Sequence, residues 1–310
     1  MRKLKLVPDK TNVQFLNLRR SAFVLSSLLV VASLALFLVK GLNYGIDFRG
    51  GILIEVGTPE PANLSQIRGT LGALELGDVA IQEFGAPTDV LIRVERQEGD
   101  ATAQQVAVDL VKEALSNEIG GDISYRRVEF VGPKVSGELI QAGTLAVVLA
   151  VIAMLIYIWF RFEWQFSVGA VIALVHDVAL TIGLFSITGL EFNLSIIAAI
   201  LTIVGYSMND TVVVYDRVRE NLRKYRRMEL SELLNLSIND TLSRTTMTSL
   251  TTLLALLSLF FFGGEVIRGF TAAMIWGVLV GTYSSIFVAA PFLLVLGVER
   301  DGGGTEVASS

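Results

Sequence analysis

The sequence predicts an α-helical membrane protein with six transmembrane helices and one extramembrane α+β domain between helices 1 and 2. Three observations lead there. Of 310 residues, 52% are hydrophobic and only 18% charged, with a mean hydropathy of +0.60, whereas soluble domains carry roughly 25% charge. The apolar residues gather into runs of about 20, the length that crosses a bilayer as a helix. Between the first two runs lies a stretch of soluble composition in which strand and helix periodicities alternate.

Residues 1–20 form a basic tail with Arg2, Lys3, Lys5, Lys10, Arg19 and Arg20, and residues 21–39 form the first span. A secretory signal has a shorter apolar core and a small-residue cleavage site. Here Val31-Ala32-Ser33 lies inside the run, so the span is read as uncleaved, with its basic tail in the cytoplasm. Residues 40–140 form the extramembrane domain. Asp47-Phe48-Arg49-Gly50-Gly51 reads as a turn into a strand at 52–56, its glycines permitting positive φ. Residues 64–74 have helical spacing. Residues 79–84 and 90–94 alternate as strands about a turn at 85–89 that contains Pro87. A second amphipathic helix covers 103–119 and a last strand 123–131. The order β-α-β-β-α-β is the ferredoxin-like split βαβ unit.

Residues 141–297 hold a five-helix bundle, with spans at 141–160, 167–188, 194–215, 245–262 and 270–296, the last long enough to tilt. A cytoplasmic loop is expected at about 216–243, and residues 298–310 form a cytoplasmic tail. The loop carries Arg217, Arg219, Arg223, Lys224, Arg226 and Arg227, while the short loops opposite hold Glu191, Glu265 and Arg268. That asymmetry puts both termini inside. The loop is partly amphipathic through Val218, Leu222, Tyr225, Leu230, Leu233 and Leu234; positive-inside topology accounts for its charge without a surface-lying helix.

Several classes of function fall away. With no cysteine, neither a disulfide framework nor a thiolate metal site is possible, and a single histidine, His176, excludes a multi-histidine metal site. Residues 41–139 carry sixteen Asp/Glu against eight Lys/Arg, a balance that repels nucleic acid. No G-x-x-x-x-G-K-[ST] run occurs, so no phosphate loop is present. A hydrolase would need a nucleophile paired with a base, and an intramembrane protease paired groups at matched depth; no convincing pair stands out.

What remains is a set of polar residues inside apolar helices. Asp210 stands near the end of the apolar run 194–204, and an acid at mid-membrane costs roughly 2.5–3.5 kcal/mol by insertion scales. Such a residue faces protein or water and marks an ion path; the plainer reading is a packing contact satisfied by a neighbour. Tyr206, Asn209, Asp210 and Val213 share one arc by the i, i+3, i+4 rule. On the next span Arg244, Thr248 and Thr251/Thr252 recur at helical spacing as a polar stripe facing a neighbour. Arg244 is also placed to snorkel to headgroups. His176 and Asp177 sit within a third apolar helix, as a polar helix–helix contact or as a relay. A water-poor site favours the neutral carboxyl of Asp210 and an approaching Arg244 favours the carboxylate. Helix movement that alternates the two would bind and release a proton, and sodium would also suit one carboxylate with hydroxyls nearby.

The run Gly205-Tyr206-Ser207-Met208-Asn209-Asp210-Thr211-Val212-Val213-Val214-Tyr215-Asp216-Arg217-Val218-Arg219-Glu220-Asn221 closely resembles the fourth-helix signature of the SecF family. Asp47-Phe48-Arg49-Gly50-Gly51, His176-Asp177, Arg244-Thr245 and Phe262-Gly263-Gly264 fall where that family has them. The likeness covers about residues 15–297. It implies half of a resistance-nodulation-division-type bundle with a periplasmic domain at about 40–140, in the bacterial inner membrane. It further implies a non-enzymatic auxiliary of the Sec translocase that uses the proton-motive force, without a cofactor, in late steps of protein export. Asp210 and Arg244 would be the proton-linked pair, with Asn209, Tyr206, Thr248, His176 and Asp177 supporting. The implied partners are SecD, the SecYEG channel, YajC-like and YidC-like subunits, the translocating preprotein and membrane lipid. Met208 and Tyr215 would stand at tolerant positions. Competing readings are a proton-driven small-molecule or lipid exporter of the same superfamily and a passive membrane assembly scaffold. Loss of Asp210 separates the scaffold from both transport readings, and copurification with a SecD-like subunit separates export from efflux.

Overall fold

A computed structural model describes residues 11–298 apart from residue 121. The first ten residues of the expected basic tail and residues 299–310 of the expected C-terminal tail lie outside the described residues. The chain forms two compact units.

One unit comprises residues 43–146 and 191–194. It contains β1 (Asn43–Tyr44), α1 being the preceding span (Arg19–Lys40), then α2 (Ile46–Arg49), β2 (Gly51–Gly57), α3 (Leu64–Gly72), β3 (Val79–Phe84), β4 (Ala86–Val94), α4 (Ala101–Ile119) and β5 (Ser124–Val131). The four-stranded sheet has the order β3-β4-β2-β5 with every neighbour antiparallel, which is the expected split βαβ arrangement. Ile52, Ile54 and Val56 alternate onto one face of the sheet, where Ile67 and Leu71 of α3 and Val108, Val111 and Leu115 of α4 cover them. Asn63 caps α3 by accepting from Gln66 N, and Asp100 caps α4 by accepting from Thr102 N and Ala103 N, each satisfying N–H groups the helix leaves unpaired.

Two expectations in this unit change. The turn expected at 85–89 shrinks to Gly85 (φ 89°), and Pro87 lies within β4. The register shift between Glu83 and Phe84 leaves Pro87 outside the β3 ladder, so its missing N–H breaks no bond. The stretch expected as a turn, Asp47–Gly51, is the end of the short helix α2 followed by Gly50 at φ 72° and Gly51 at φ 122°; a Cβ on Gly51 would lie 2.6 Å from Val94 O. Asp47 does more than turn the chain. Its Oδ2 accepts from Leu194 N at 2.9 Å. Beside it β1 pairs in parallel with β6 (Glu191–Phe192), and Arg93 reaches from β4 to donate to Tyr44 O and Asn43 Oδ1.

The described part of the other unit comprises residues 11–42, 147–190 and 195–298. Its helices are α1, the C-terminal part of α5 (Pro133–Arg161), α6 (Trp164–Thr188), α7 (Leu194–Lys224), α8 (Leu230–Phe262), α9 (Arg268–Ser284) and α10 (Ala290–Leu296). Among the described residues six helical segments are long and apolar enough to cross a membrane, α9 and α10 counting as one. A π-helical turn, Ser285–Ala289, joins those two just before Pro291. The Tyr215 hydroxyl donates to Ala289 O there, holding a carbonyl that an irregular turn frees. Tyr215 is 0% exposed, and a Cβ on Gly169 would run into its hydroxyl, so it does not stand at a tolerant position.

The loop expected at 216–243 is largely helical: α7 runs on to Lys224 and α8 begins at Leu230. The reason is burial. Val218, Leu233 and Leu234 join Leu16, Phe162, Tyr215 and Ile238 in one apolar core, with Leu222, Tyr225 and Leu230 packed against it. Asn239 and Asn235 of α8 bind the chain ahead of α1, accepting from Val13 N and Leu16 N.

Candidate functional site

α6, α7 and α9 approach closely because small residues line their contacts. Gly277 and Gly281 stand four apart on α9, the small-xxx-small spacing that lets membrane helices meet backbone to backbone. A Cβ at Gly277 would collide with Ile203, and one at Gly281 would sit 3.0 Å from Ser207 Cβ. That approach brings polar side chains together in the interior.

Asp177 is fully enclosed among them, 0% exposed. Its Oδ1 lies 2.9 Å from His176 Nδ1. Its Oδ2 accepts from the hydroxyls of Ser207 on α7 and Ser284 on α9. His176 stacks on Tyr283 at 6.0 Å, and Tyr283 Oη is 3.0 Å from Ser26 Oγ of α1. One carboxylate therefore ties three helices, and His176 links it to a fourth. Asp177 and His176 are in contact with each other. Ser207, inside the signature, and Ser284, one of the small hydroxyls of the last span, are not tied to Asp177 by the sequence, because a serine in an apolar helix carries no signal of direction.

Asp210 is also buried, at 4%, three residues beyond Ser207. Its surroundings differ. Oδ2 has no hydrogen-bond partner, nor has the nearby Thr245 hydroxyl of α8. No nitrogen of Arg244 on α8 comes within 4 Å of the carboxylate, the limit met by the ion pairs among the described residues. Arg244 is exposed. Near Asp210, Tyr206 donates to Ser249 Oγ at 3.4 Å, and Ser249 is 2.7 Å from Thr282 Oγ1, so hydroxyls bridge α7, α8 and α9.

Besides Arg244, two expected members are not brought in. Asn209 is exposed, because the buried arc of α7 extends from Asp210 toward Ser207, Thr211 and Val214 and Asn209 lies 100° from Asp210 on the opposite side. Thr248 donates to Arg244 O and Thr245 O of its own helix, which spends its proton locally. The Arg244–Thr251 stripe is open on the surface of this chain rather than facing a neighbour within it.

Fold and site together define a multi-pass membrane protein with an inserted α+β domain and acids buried in its helical interior. Residues 111–299 match the family described as protein export membrane protein SecD/SecF, C-terminal, and residues 35–58 match the SecD/SecF GG motif. The chain is 48% identical over 297 residues to protein translocase subunit SecF of Rickettsia bellii, covering 96% of this chain and 97% of that protein. It is 47% identical over 306 residues to that of Cereibacter sphaeroides, covering 97% and 94%. A crystal structure of SecDF, a translocon-associated membrane protein from Thermus thermophilus, superposes with a TM-score of 0.84 at 35% identity over 94% of this chain. SecDF in a super-membrane-facing form gives 0.67 at the same identity and coverage. This chain spans 39% of the length of those SecDF proteins. The chain belongs to the SecD/SecF family, with SecF as its relatives of matching length, and is a multi-pass protein of the bacterial inner membrane.

Proposed function

We propose that this chain is the accessory subunit of Sec-dependent protein export that couples the proton-motive force to late steps of translocation, paired with a SecD subunit beside the SecYEG channel. YajC-like and YidC-like subunits belong to the same proposed assembly. Both termini lie in the cytoplasm in this reading, since Arg19, Arg20 and the Arg217–Arg227 cluster follow the positive-inside rule.

The observation that carries the coupling is the unpartnered oxygen of a buried acid. A carboxylate left without a partner in a low-dielectric interior is costly, and a proton or an approaching cation relieves it. Asp210 has one oxygen in that condition, and Arg244 is more than a contact away. When α8 shifts to bring Arg244 against Asp210, the carboxylic acid gives up its proton toward one side. When Arg244 withdraws, the carboxylate takes a proton from the other side. The charge then balances in both arrangements, and the helix movement is available as mechanical work. One elementary charge moved through 100 mV supplies about 2.3 kcal/mol.

The role is read as non-catalytic. A Ser–His–Asp hydrolase bonds its serine to histidine, whereas Ser207 and Ser284 both donate to Asp177 and His176 Nε2 has no partner.

The test is precursor release from sealed inner-membrane vesicles, with and without an imposed gradient. Asp210→Asn should insert and fold normally yet lose the gradient-dependent stimulation, bringing release to the level without a gradient. Full stimulation in that variant would overturn the coupling and leave a scaffold. Stimulation that follows a sodium gradient instead would replace the ion.

A further inference from the structure

The basic end of α7 forms a recess that the coupling mechanism does not use. It is an open cavity of about 570 Å³ lined by Arg161, Asp216, Arg219, Glu220, Arg223 and Lys224, within the size range of small-ligand pockets. Its two acids are already engaged. Arg161 donates to Asp216 at 2.6 Å, and Arg217, which lies outside the lining, donates to Glu220 at 2.7 Å. Arg219 donates to the Arg161 carbonyl at 3.0 Å, and the guanidiniums of Arg161 and Arg219 lie 5.0 and 5.4 Å from the Phe162 ring centre. Phe162 is buried against Phe166 and Tyr215, so the wall of the recess is anchored to the core. Arg219, Arg223 and Lys224 line the recess without a carboxylate partner among the described residues, with Lys224 Nζ 5.1 Å over the Tyr225 ring. Two of them stand at i and i+4 on one helix face, a spacing of neighbouring side chains.

A second observation sets the depth of the recess. Arg161 ends one candidate span and Lys224 another. Flanking Arg161, Trp159, Phe160 and Trp164 are 70%, 87% and 55% exposed. Exposed aromatics at the end of a span sit at the headgroup level of a bilayer, and basic pockets between spans at that level suit acidic headgroups. The last-turn cations also oppose the α7 dipole, but that function needs no recess.

We propose that this recess binds the phosphodiester headgroup of an anionic membrane phospholipid, held by Arg219, Arg223 and Lys224 with the acyl chains lying beside the exposed aromatics of the α5–α6 turn. The assignment stands apart from ion coupling and survives its failure.

The full chain in neutral detergent is titrated with short-chain phosphatidylglycerol, with phosphatidylcholine of the same chain length, and with inorganic phosphate, and bound lipid is counted by native mass spectrometry. Phosphatidylglycerol should be retained and phosphatidylcholine not, and millimolar phosphate should not displace it. Arg223→Gln with Lys224→Gln should weaken retention on the order of thirtyfold, two cations at about 1 kcal/mol each. Arg20→Gln with Arg227→Gln removes the same charge outside the recess and should change retention less than twofold. Unfolding in lipid-free detergent confirms that both variants fold, and Arg219→Gln stands in if the first pair does not. Equal binding of the two lipids, equal loss in both charge variants, or full displacement by phosphate would each overturn the proposal.

Discussion

Asp177 and Asp210 are acids of similar burial with opposite accounts of their oxygens. Asp177 has three side-chain donors or partners around it, so it acts as a structural tie. Replacing it with Ala strands the Ser207 hydroxyl, leaves Ser284 only the Gly281 carbonyl of its own helix, and should lower unfolding stability in detergent by about 1–2 kcal/mol, the range for interhelical hydrogen bonds. Asn keeps one acceptor and should lose less. Asp210→Asn, removing a charge that lacked a partner, should leave stability within about 0.5 kcal/mol. Both acids were legible as intramembrane carboxylates; which was satisfied was not, because the satisfying serines come from other helices. Glu191 adds a pH dependence. Burial pushes its carboxyl up from 4.5, Asp47 adds to that, and Arg93 opposes it. The folded state thus holds this proton more tightly than the unfolded chain. The stabilising effect is complete below about pH 4.5 and is lost as pH rises through the raised value. Unfolding followed against pH should show wild type losing stability over that window relative to Glu191→Gln.

At the scale of elements, α9 is defined by what it lacks. The same substitution should have opposite signs in two helices. Gly277→Ala places a methyl into Ile203 and should cost about 1–3 kcal/mol by overpacking. Gly205→Ala on α7 meets nothing within 4 Å and should stabilise by up to about 1 kcal/mol through helix propensity. Denaturant unfolding in detergent reads both. The glycines are plain in the sequence, but only the neighbour across the gap separates a packing glycine from a dispensable one. The same holds for the ends of α7 and α8. Charge density near Arg217–Arg227 reads as loop, while the helices continue because Val218, Leu233 and Leu234 have a core to enter.

At the scale of the molecule, enclosure is uneven. The most apolar stretches of α6, α7 and α9–α10 are 61%, 50% and 61% buried, against 17%, 6% and 17% for α1, α5 and α8. On α8 the open side carries Arg244 and Thr251, a polar surface that does not suit lipid. A SecD subunit covering that stripe should crosslink to Thr251→Cys in membranes and not to Ala199→Cys, which is fully enclosed. The absence of native cysteine makes each introduced thiol unique. Failure of Thr251→Cys to reach SecD would remove α8 from the proposed interface.

By itself the sequence determined the number of spans, the split βαβ order of the domain, and the presence of acids where a membrane helix tolerates few. These follow from run length, periodicity and residue type, all of which are local. The tertiary structure alone decided that Asn209 points away, that Ser207 and Ser284 complete the site of Asp177, and that Asp47 reaches Leu194. Each of these joins or separates groups by the direction of a side chain or across more than a hundred residues, and no periodicity along a chain records what stands opposite it in space.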